Sequence, residues 1–426
     1  MGILSSLNHQ QKEAVGILQI GTFLEYFDLL LYTHMAVVLN EVFFSNSDLL
    51  INRVILVSGY CATFVFRPIG AIIFGYMGDT MGRKPTVITT TMLTAITSIV
   101  MATLPSYAKI GVVASWVVMI CRMVQGMSSM GEVFGAEIYL TELIKSKSRY
   151  AVVSLMECAS VFGGVIALLV ACGTFSIGMD WRVAFWIGGL VALAGMTART
   201  ALRETPDFLL AKNDFLNGVN NINIELQKPI EKINKKSMVA YFFIQCGYPL
   251  FFYFTYIYCG EILKVRFNYT SAEIIKHNLI VAIVEFIVIT FLTYLSCKIY
   301  PLKIIKVRMW VFSVFSIFTP YLLLNITLPI QLMLIQLFLC CFTLSVVPGS
   351  IIFFEHFPVL RRFTCASLIF ACSRALMSII ASFGLMYLTQ YFGYKGLLIM
   401  FIPIFIAFMF GIYHFEKLEK SCGNYY

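Results

Sequence analysis

Apolar runs of about twenty residues, separated by short polar breaks, repeat from one end of the chain to the other. A helix of roughly 20 apolar residues crosses the hydrocarbon core of a bilayer. Windows of that kind fall at about 15–40, 53–77, 86–106, 111–140, 149–174, 182–201, 237–263, 274–297, 307–325, 328–353, 363–390 and 394–415. The runs are too long and too continuously apolar for the alternating strands of a transmembrane barrel. The pattern therefore predicts an all-α polytopic membrane protein with twelve transmembrane helices. The longest polar segment, 202–236, divides the windows six and six. It predicts a bundle at 1–201, a linker at 202–236 and a second bundle at 237–426, a plan that places a site between two halves. The tail after residue 415 is short and carries no heptads.

Composition agrees with this reading. Of the 426 residues 59% are hydrophobic and 12% are charged, against about 25% charged in soluble domains. A chain this apolar needs lipid around it. With the N-terminus placed inside, alternate loops hold twenty-one of the 31 basic residues on the inner side and seven on the outer. Arg199 and Arg308 are counted with the inner loops, while Arg67, Arg122 and Arg374 fall within spans. Cationic loops stay cytoplasmic, so both termini are expected inside, and the net charge of +9 needs no nucleic acid to explain it. Residues 1–14 lack the charged start and apolar core of a cleavable signal, although they match an M-G-x-x-x-[ST] acylation pattern. The twelve cysteines form no C-x-x-C pair and read as small apolar residues rather than disulfides or metal ligands. Asn268 and Asn325 open acceptor-type tripeptides for sugars.

Local motifs narrow the class. Between the second and third windows stands Gly75-Tyr-Met-Gly78-Asp79-Thr80-Met81-Gly82-Arg83-Lys84. Glycines permit a tight turn beneath neighbouring helices, and an aspartate with two cations can make ion pairs and helix-end contacts that hold one conformation. The stretch resembles the G-x-x-x-D-R-x-G-R-[RK] loop of the major facilitator superfamily, with Thr80 in place of the first arginine. Further stretches resemble its metabolite:proton symporter family, which includes proline/betaine, shikimate and dicarboxylate carriers. They are Gly21-x-x-x-Glu25-Tyr26-Phe27-Asp28, Phe66-Arg67-Pro68-Ile69-Gly70 and Arg122-Met-Val-Gln125-Gly126 through Gly131-Glu132. Arg203-Glu204-Thr205-Pro206-Asp207-Phe208 and Glu355-His356-Phe357-Pro358 with Arg361 or Arg362 complete the series. The resemblance covers residues 21–362 in order. It fails where the loop motif should recur in the second half: Cys297 stands for the expected aspartate, and Cys365 for a glycine.

Polar residues inside the spans suggest where function lies. A charge at mid-bilayer costs roughly 2.5–3.5 kcal/mol on insertion scales. At about 100° per residue, Gly21, Glu25, Asp28 and Tyr32 share one side of the first span. Arg122, Gln125, Ser129 and Glu132 share one side of the fourth. Two narrow polar stripes imply a shared interior, with Glu25 or Asp28 paired to Arg122. Glu25 and Asp28 are candidate proton carriers, and structural pairing is the alternative for both. Arg122, Gln125, Glu132 and Arg374 are candidates for solute contact; Glu157 and Glu285 are lone carboxylates. Arg67 is expected nearer the cytoplasmic end, grouped with the gate motif of Gly75, Asp79, Gly82, Arg83 and Lys84. Tyr248, Tyr253, Tyr256 and Tyr258 crowd the seventh span, where packing competes with a cage for a quaternary ammonium.

No nucleophile–base pair, metal cluster or phosphate loop stands out, so no cofactor, metal or enzymatic activity is expected. The resemblance implies a proton-coupled symporter of a bacterial inner membrane, importing a small zwitterion or organic anion by alternating access. An exporter or antiporter on the same scaffold, or a transporter-like receptor that no longer translocates, stays open. Sequence alone does not give the oligomeric state.

Overall fold

The computed structural model describes residues 7–44, 63–144, 149–177, 180–206, 208–210, 212–213 and 234–425. The acylation pattern at the N-terminus, Cys61 and most of the 202–236 linker lie outside the described residues.

Among the described residues helix is found in each of the twelve apolar windows; the start of the 53–77 window, through residue 62, lies outside them. The first six are α1 (His9–Phe43), α2 (Arg67–Thr80), α3 (Arg83–Thr103), α4 (Val112–Leu143), α5 (Arg149–Ile177) and α6 (Trp181–Arg199). The second six are α7 (Lys235–Phe267), α8 (Ser271–Leu295), α9 (Pro301–Leu324), α10 (Pro329–Phe342), α11 (Val359–Phe392) and α12 (Gly396–Ser421). Eight helical stretches among the described residues are long and apolar enough to cross a membrane. One of them, Val359–Ser421, has 63 residues. It is broken at Gly393–Lys395 into α11 and α12.

Local chemistry sets the ends. Proline opens α2, α9 and α10 within their first two positions, where its missing N–H has no helical partner to lose. Thr270 and Glu273 form a capping box at the start of α8, and Asn234 accepts from Lys236 N at the start of α7. Asn268, read as a sugar acceptor, ends α7 in the left-handed conformation at φ 53°. Along α3, Thr86, Thr90, Thr91, Thr94 and Thr97 return their hydroxyls to carbonyls one turn back. Donors that water cannot reach are thereby satisfied.

Within the first half α1 packs on α4, α5 and α6, and α3 packs on α4 and α6. Within the second half α7 packs on α11 and α12, α8 on α10, and α9 on α10 and α12. The halves meet through α2 with α11 and α5 with α8. The α2–α4 crossing is close: a Cβ on Gly70 would collide with the Met127 backbone, and one on Gly126 with the Thr63 carbonyl.

Three departures from the sequence reading matter. The window at 328–353 is not one helix: α10 ends at Phe342, and a short helix, Ser350–Glu355, follows an irregular stretch. Arg308 fills that break, donating to the carbonyls of Cys341 at 3.1 Å and Val347 at 2.8 Å. Arg308 is buried in α9 and is not a loop cation. Arg199, also counted with the inner loops, is buried as well, and so are Arg83 and Arg362, which lie outside the apolar windows.

Candidate functional site

The two polar stripes do face each other. Asp28 on α1 lies 3.9 Å from Arg122 on α4 and accepts from Ser98 of α3 at 2.9 Å. Arg122 donates to Gln125 at 2.8 Å and stacks over the Tyr32 ring at 4.0 Å. Glu25 takes a different partner: Arg67, at 3.6 Å. Glu132, two stripe positions beyond Gln125 on α4, pairs with Arg199 of α6 at 2.8 Å. It also accepts from Thr91 and Thr94, each at 3.2 Å. Three buried acids thus hold three buried arginines, each from another helix, which is how charges persist in a low-dielectric interior.

Arg199 is the member that sequence reasoning missed. The trace it leaves is Gly21: a side chain there would collide with the Arg199 guanidinium. The glycine of the first-span motif is therefore the slot through which the α6 arginine reaches Glu132.

Two spaces adjoin these pairs. The smaller, about 230 Å³, is lined by Glu25, Asp28, Arg67, Arg122 and Gln125 among others. The larger is a central cavity of about 860 Å³, its open mouth included. Tyr26 and Ser160 from the first half and Tyr248, Tyr256, Glu285 and Arg374 from the second line it. Arg67 and Leu29 border both spaces. Arg67 therefore does not stand with the gate motif. It begins α2, and Asp79 lies twelve residues on, about 18 Å along a helix. Of the four tyrosines crowding α7, Tyr248 and Tyr256 face the cavity. His34 lines it too, whereas His277 is bonded to Gln336 at 2.6 Å.

The residues of the Gly75–Lys84 motif form a second constellation at the end of α2. Asp79 accepts from Thr364 N at 2.9 Å, Thr364 Oγ1 at 2.6 Å and Phe363 N at 3.3 Å, all from the first turns of α11. Gly75 and Gly78 allow this approach, because a Cβ would meet Thr364 at the first and the Phe363 ring at the second. Arg83 donates to Gly78 O at 2.6 Å, Val359 O at 2.9 Å and both oxygens of Glu142. Glu142 also meets Arg362 at 3.4 Å and accepts from Thr205 at 2.7 Å. Gly82, at φ 125°, turns the chain, and Glu204 caps α3 through the amides of Arg83 at 2.9 Å and Lys84 at 3.2 Å. Tyr139 donates to the Arg203 carbonyl. The R-E-T-P stretch thus completes the loop motif in space. Neighbouring ties between the halves are Arg149–Glu355 at 2.6 Å and Ser154 to the Pro348 carbonyl at 2.9 Å.

The second-half loop, without its aspartate, is built differently. Cys297 is exposed. Tyr300 donates to Glu419 at 2.5 Å, His356 meets Glu419 at 2.8 Å, and Lys306 pairs with Glu416 at 2.9 Å. The carboxylates that anchor this corner come from α12. Among the described residues no group of three or more His, Cys, Asp or Glu is placed to hold a metal ion.

Comparison with known proteins agrees with this architecture. The sequence profile of the Major Facilitator Superfamily matches residues 54–382. The chain is 30% identical over 204 residues to the proline/betaine transporter of Salmonella typhimurium, covering 46% of this chain and 41% of that protein. It is 30% identical over 277 residues to a putative proline/betaine transporter of Staphylococcus aureus strain COL, covering 62% and 58%. The matches therefore span well under two thirds of those relatives. Among solved structures, a proton:xylose symporter bound to 6-bromo-6-deoxy-D-glucose superposes with TM-score 0.74 at 16% identity, over 96% of this chain and 95% of that one. At that identity the likeness is one of fold.

Proposed function

Since this chain belongs to the major facilitator superfamily, we propose that it is a proton-coupled secondary transporter, importing a small polar solute by alternating access between two six-helix bundles. The observation that carries this reading is Arg67. It borders both the central cavity and the space around Glu25 and Asp28, and it is the ion-pair partner of Glu25. A proton arriving on Glu25 removes the counter-charge of Arg67 and changes the field in the cavity. A solute arriving in the cavity changes the environment of Arg67 and hence the proton affinity of Glu25. Such reciprocity is what coupling between two sites requires.

The same plan assigns the ties among Asp79, Arg83, Glu142 and α11 to a gate on the cytoplasmic side, closed in this conformation. The excess of cationic loops on that face supports the orientation. Both termini then lie in the cytoplasm, and a bacterial inner membrane is the expected setting, as the bacterial relatives suggest. Their names make proline, a betaine or another carboxylate the first solutes to test.

Accumulation driven by an imposed pH gradient in proteoliposomes tests the assignment. Glu25→Gln or Asp28→Asn is expected to abolish gradient-driven accumulation while solute exchange across the membrane persists. Full accumulation in both variants would remove these carboxylates from the coupling mechanism.

A further inference from the structure

The arginines within the helical bundle are not equivalent. Arg67, Arg122 and Arg199 each have a carboxylate within 4.0 Å, and Arg308 is spent on backbone carbonyls. Arg374, midway along α11, has neither. Its guanidinium is flanked by the Tyr248 ring at 4.9 Å and the Phe370 ring at 4.5 Å. Among the described residues no carboxylate lies within 4.0 Å of it, and none of its N–H groups is hydrogen-bonded. Glu157 on α5 accepts from Ser160 at 3.1 Å and lies beyond ion-pair distance of Arg374, although the two charges act on each other. A guanidinium whose faces meet aromatic rings keeps its edge, a planar fork of donors matched to a carboxylate. That edge belongs to a residue lining the central cavity.

Glu285 on α8 mirrors it. Glu285 lines the same cavity and has no cationic partner within 4.0 Å among the described residues. One oxygen accepts from the Tyr256 hydroxyl at 2.5 Å; the other accepts no hydrogen bond from the described residues. Tyr256 is held firmly. It lies in a π-helical turn, Tyr253–Tyr258, of the kind that often marks functional positions. Gln336 donates to the Thr255 carbonyl at 2.6 Å, and Asn278 to the Tyr256 carbonyl at 3.2 Å. The turn thereby fixes one acceptor oxygen and leaves the second for a ligand. A half-satisfied carboxylate and an unpaired guanidinium in one cavity call for a solute that completes both.

We propose that Arg374 and Glu285 form a two-ended recognition pair for an amino or hydroxy carboxylate: the carboxylate pairs with the Arg374 fork and an N–H or O–H donor bonds the free oxygen of Glu285. This rests on the transporter reading of the cavity, and it moves solute anchoring away from Arg122, whose Nη1 already serves Asp28 and Gln125. A fully methylated betaine satisfies Arg374 but brings no donor to Glu285, so it binds more weakly.

The test is equilibrium binding to the purified full chain in nanodiscs, using L-proline, L-serine, L-lactate, glycine betaine and uncharged D-xylose. At least one of proline, serine and lactate binds about tenfold or more tightly than betaine, a margin one charge-assisted hydrogen bond supplies. Arg374→Gln weakens every carboxylate by about tenfold or more, and Arg374→Lys, which keeps the charge in the membrane but loses the fork, also weakens them. Glu285→Gln weakens proline and lactate by more than it weakens betaine and so narrows the preference. Betaine binding as tightly as all three donors, carboxylate binding indifferent to both positions, or binding of xylose alone or of none of the five overturns the pair. Binding in the expected pattern without accumulation in proteoliposomes leaves the pair standing and overturns transport. Accumulation indifferent to both substitutions does the reverse.

Discussion

Asp79 offers a perturbation whose energy falls almost wholly on one conformational state. Its carboxylate accepts three hydrogen bonds from Phe363 and Thr364 on α11, and each bond joins the two halves of the molecule. Arg83, the nearby cation, keeps both oxygens of Glu142 and the Gly78 carbonyl without it, so removing Asp79 orphans little within the first half. Hydrogen bonds to a charged acceptor contribute about 1.5–3 kcal/mol each and do not add fully. We therefore expect Asp79→Ala to destabilise the closed face, proposed above as the cytoplasmic one, by about 2 kcal/mol, roughly thirtyfold in the equilibrium between closed and open. Cys365, beside Thr364 and only 8% exposed, reports the change. In a variant retaining that cysteine alone, a membrane-impermeant maleimide applied from the cytoplasmic face should label it at least tenfold faster after Asp79→Ala. Asp79→Asn keeps an acceptor oxygen and should fall between. An unchanged labelling rate in folded, monodisperse protein would refute the gate assignment.

Other substitutions probe the interior. Arg199→Gln leaves Glu132 charged and buried and should cost about 3–5 kcal/mol, read as a lower melting temperature in detergent. Adding Glu132→Gln should recover much of that loss, and failure to recover would mean that the pair is not the source. Gly126→Ala drives a methyl into the Thr63 carbonyl and should destabilise by about 1–3 kcal/mol, checked by thermal size-exclusion. Glu142→Gln removes the only carboxylate within 4.0 Å of Arg362 among the described residues and leaves Arg83 with Asp79 alone, at 3.5 Å. Both a lower melting temperature and faster Cys365 labelling should follow.

The spans were legible because hydrocarbon imposes a length and an apolar composition that few soluble segments share. The facing of the α1 and α4 stripes was legible for a similar reason, since two charged faces cannot both look at lipid. Which acid meets which arginine was not. That depends on axial offsets between helices, and these set Asp28 against Arg122 while Glu25 finds Arg67. Arg199 escaped because it ends α6 beside the polar linker, where a positive charge reads as topology and not as chemistry. The break after α10 escaped because residues 343–347 are as apolar as the helix before them, and the arginine that satisfies the exposed carbonyls sits on another helix. The tyrosines of α7 could be counted but not sorted. A π turn rotates those beyond it away from the ideal register, so helical periodicity alone does not pick out Tyr248 and Tyr256.

Proton movement caused by solute addition tests the central claim most directly. In proteoliposomes without an imposed gradient, adding a transported amino or hydroxy carboxylate should alkalinise the external medium as protons enter with it, and Glu25→Gln should abolish that signal. Solute entry with no accompanying proton movement in the unmodified protein would contradict the account.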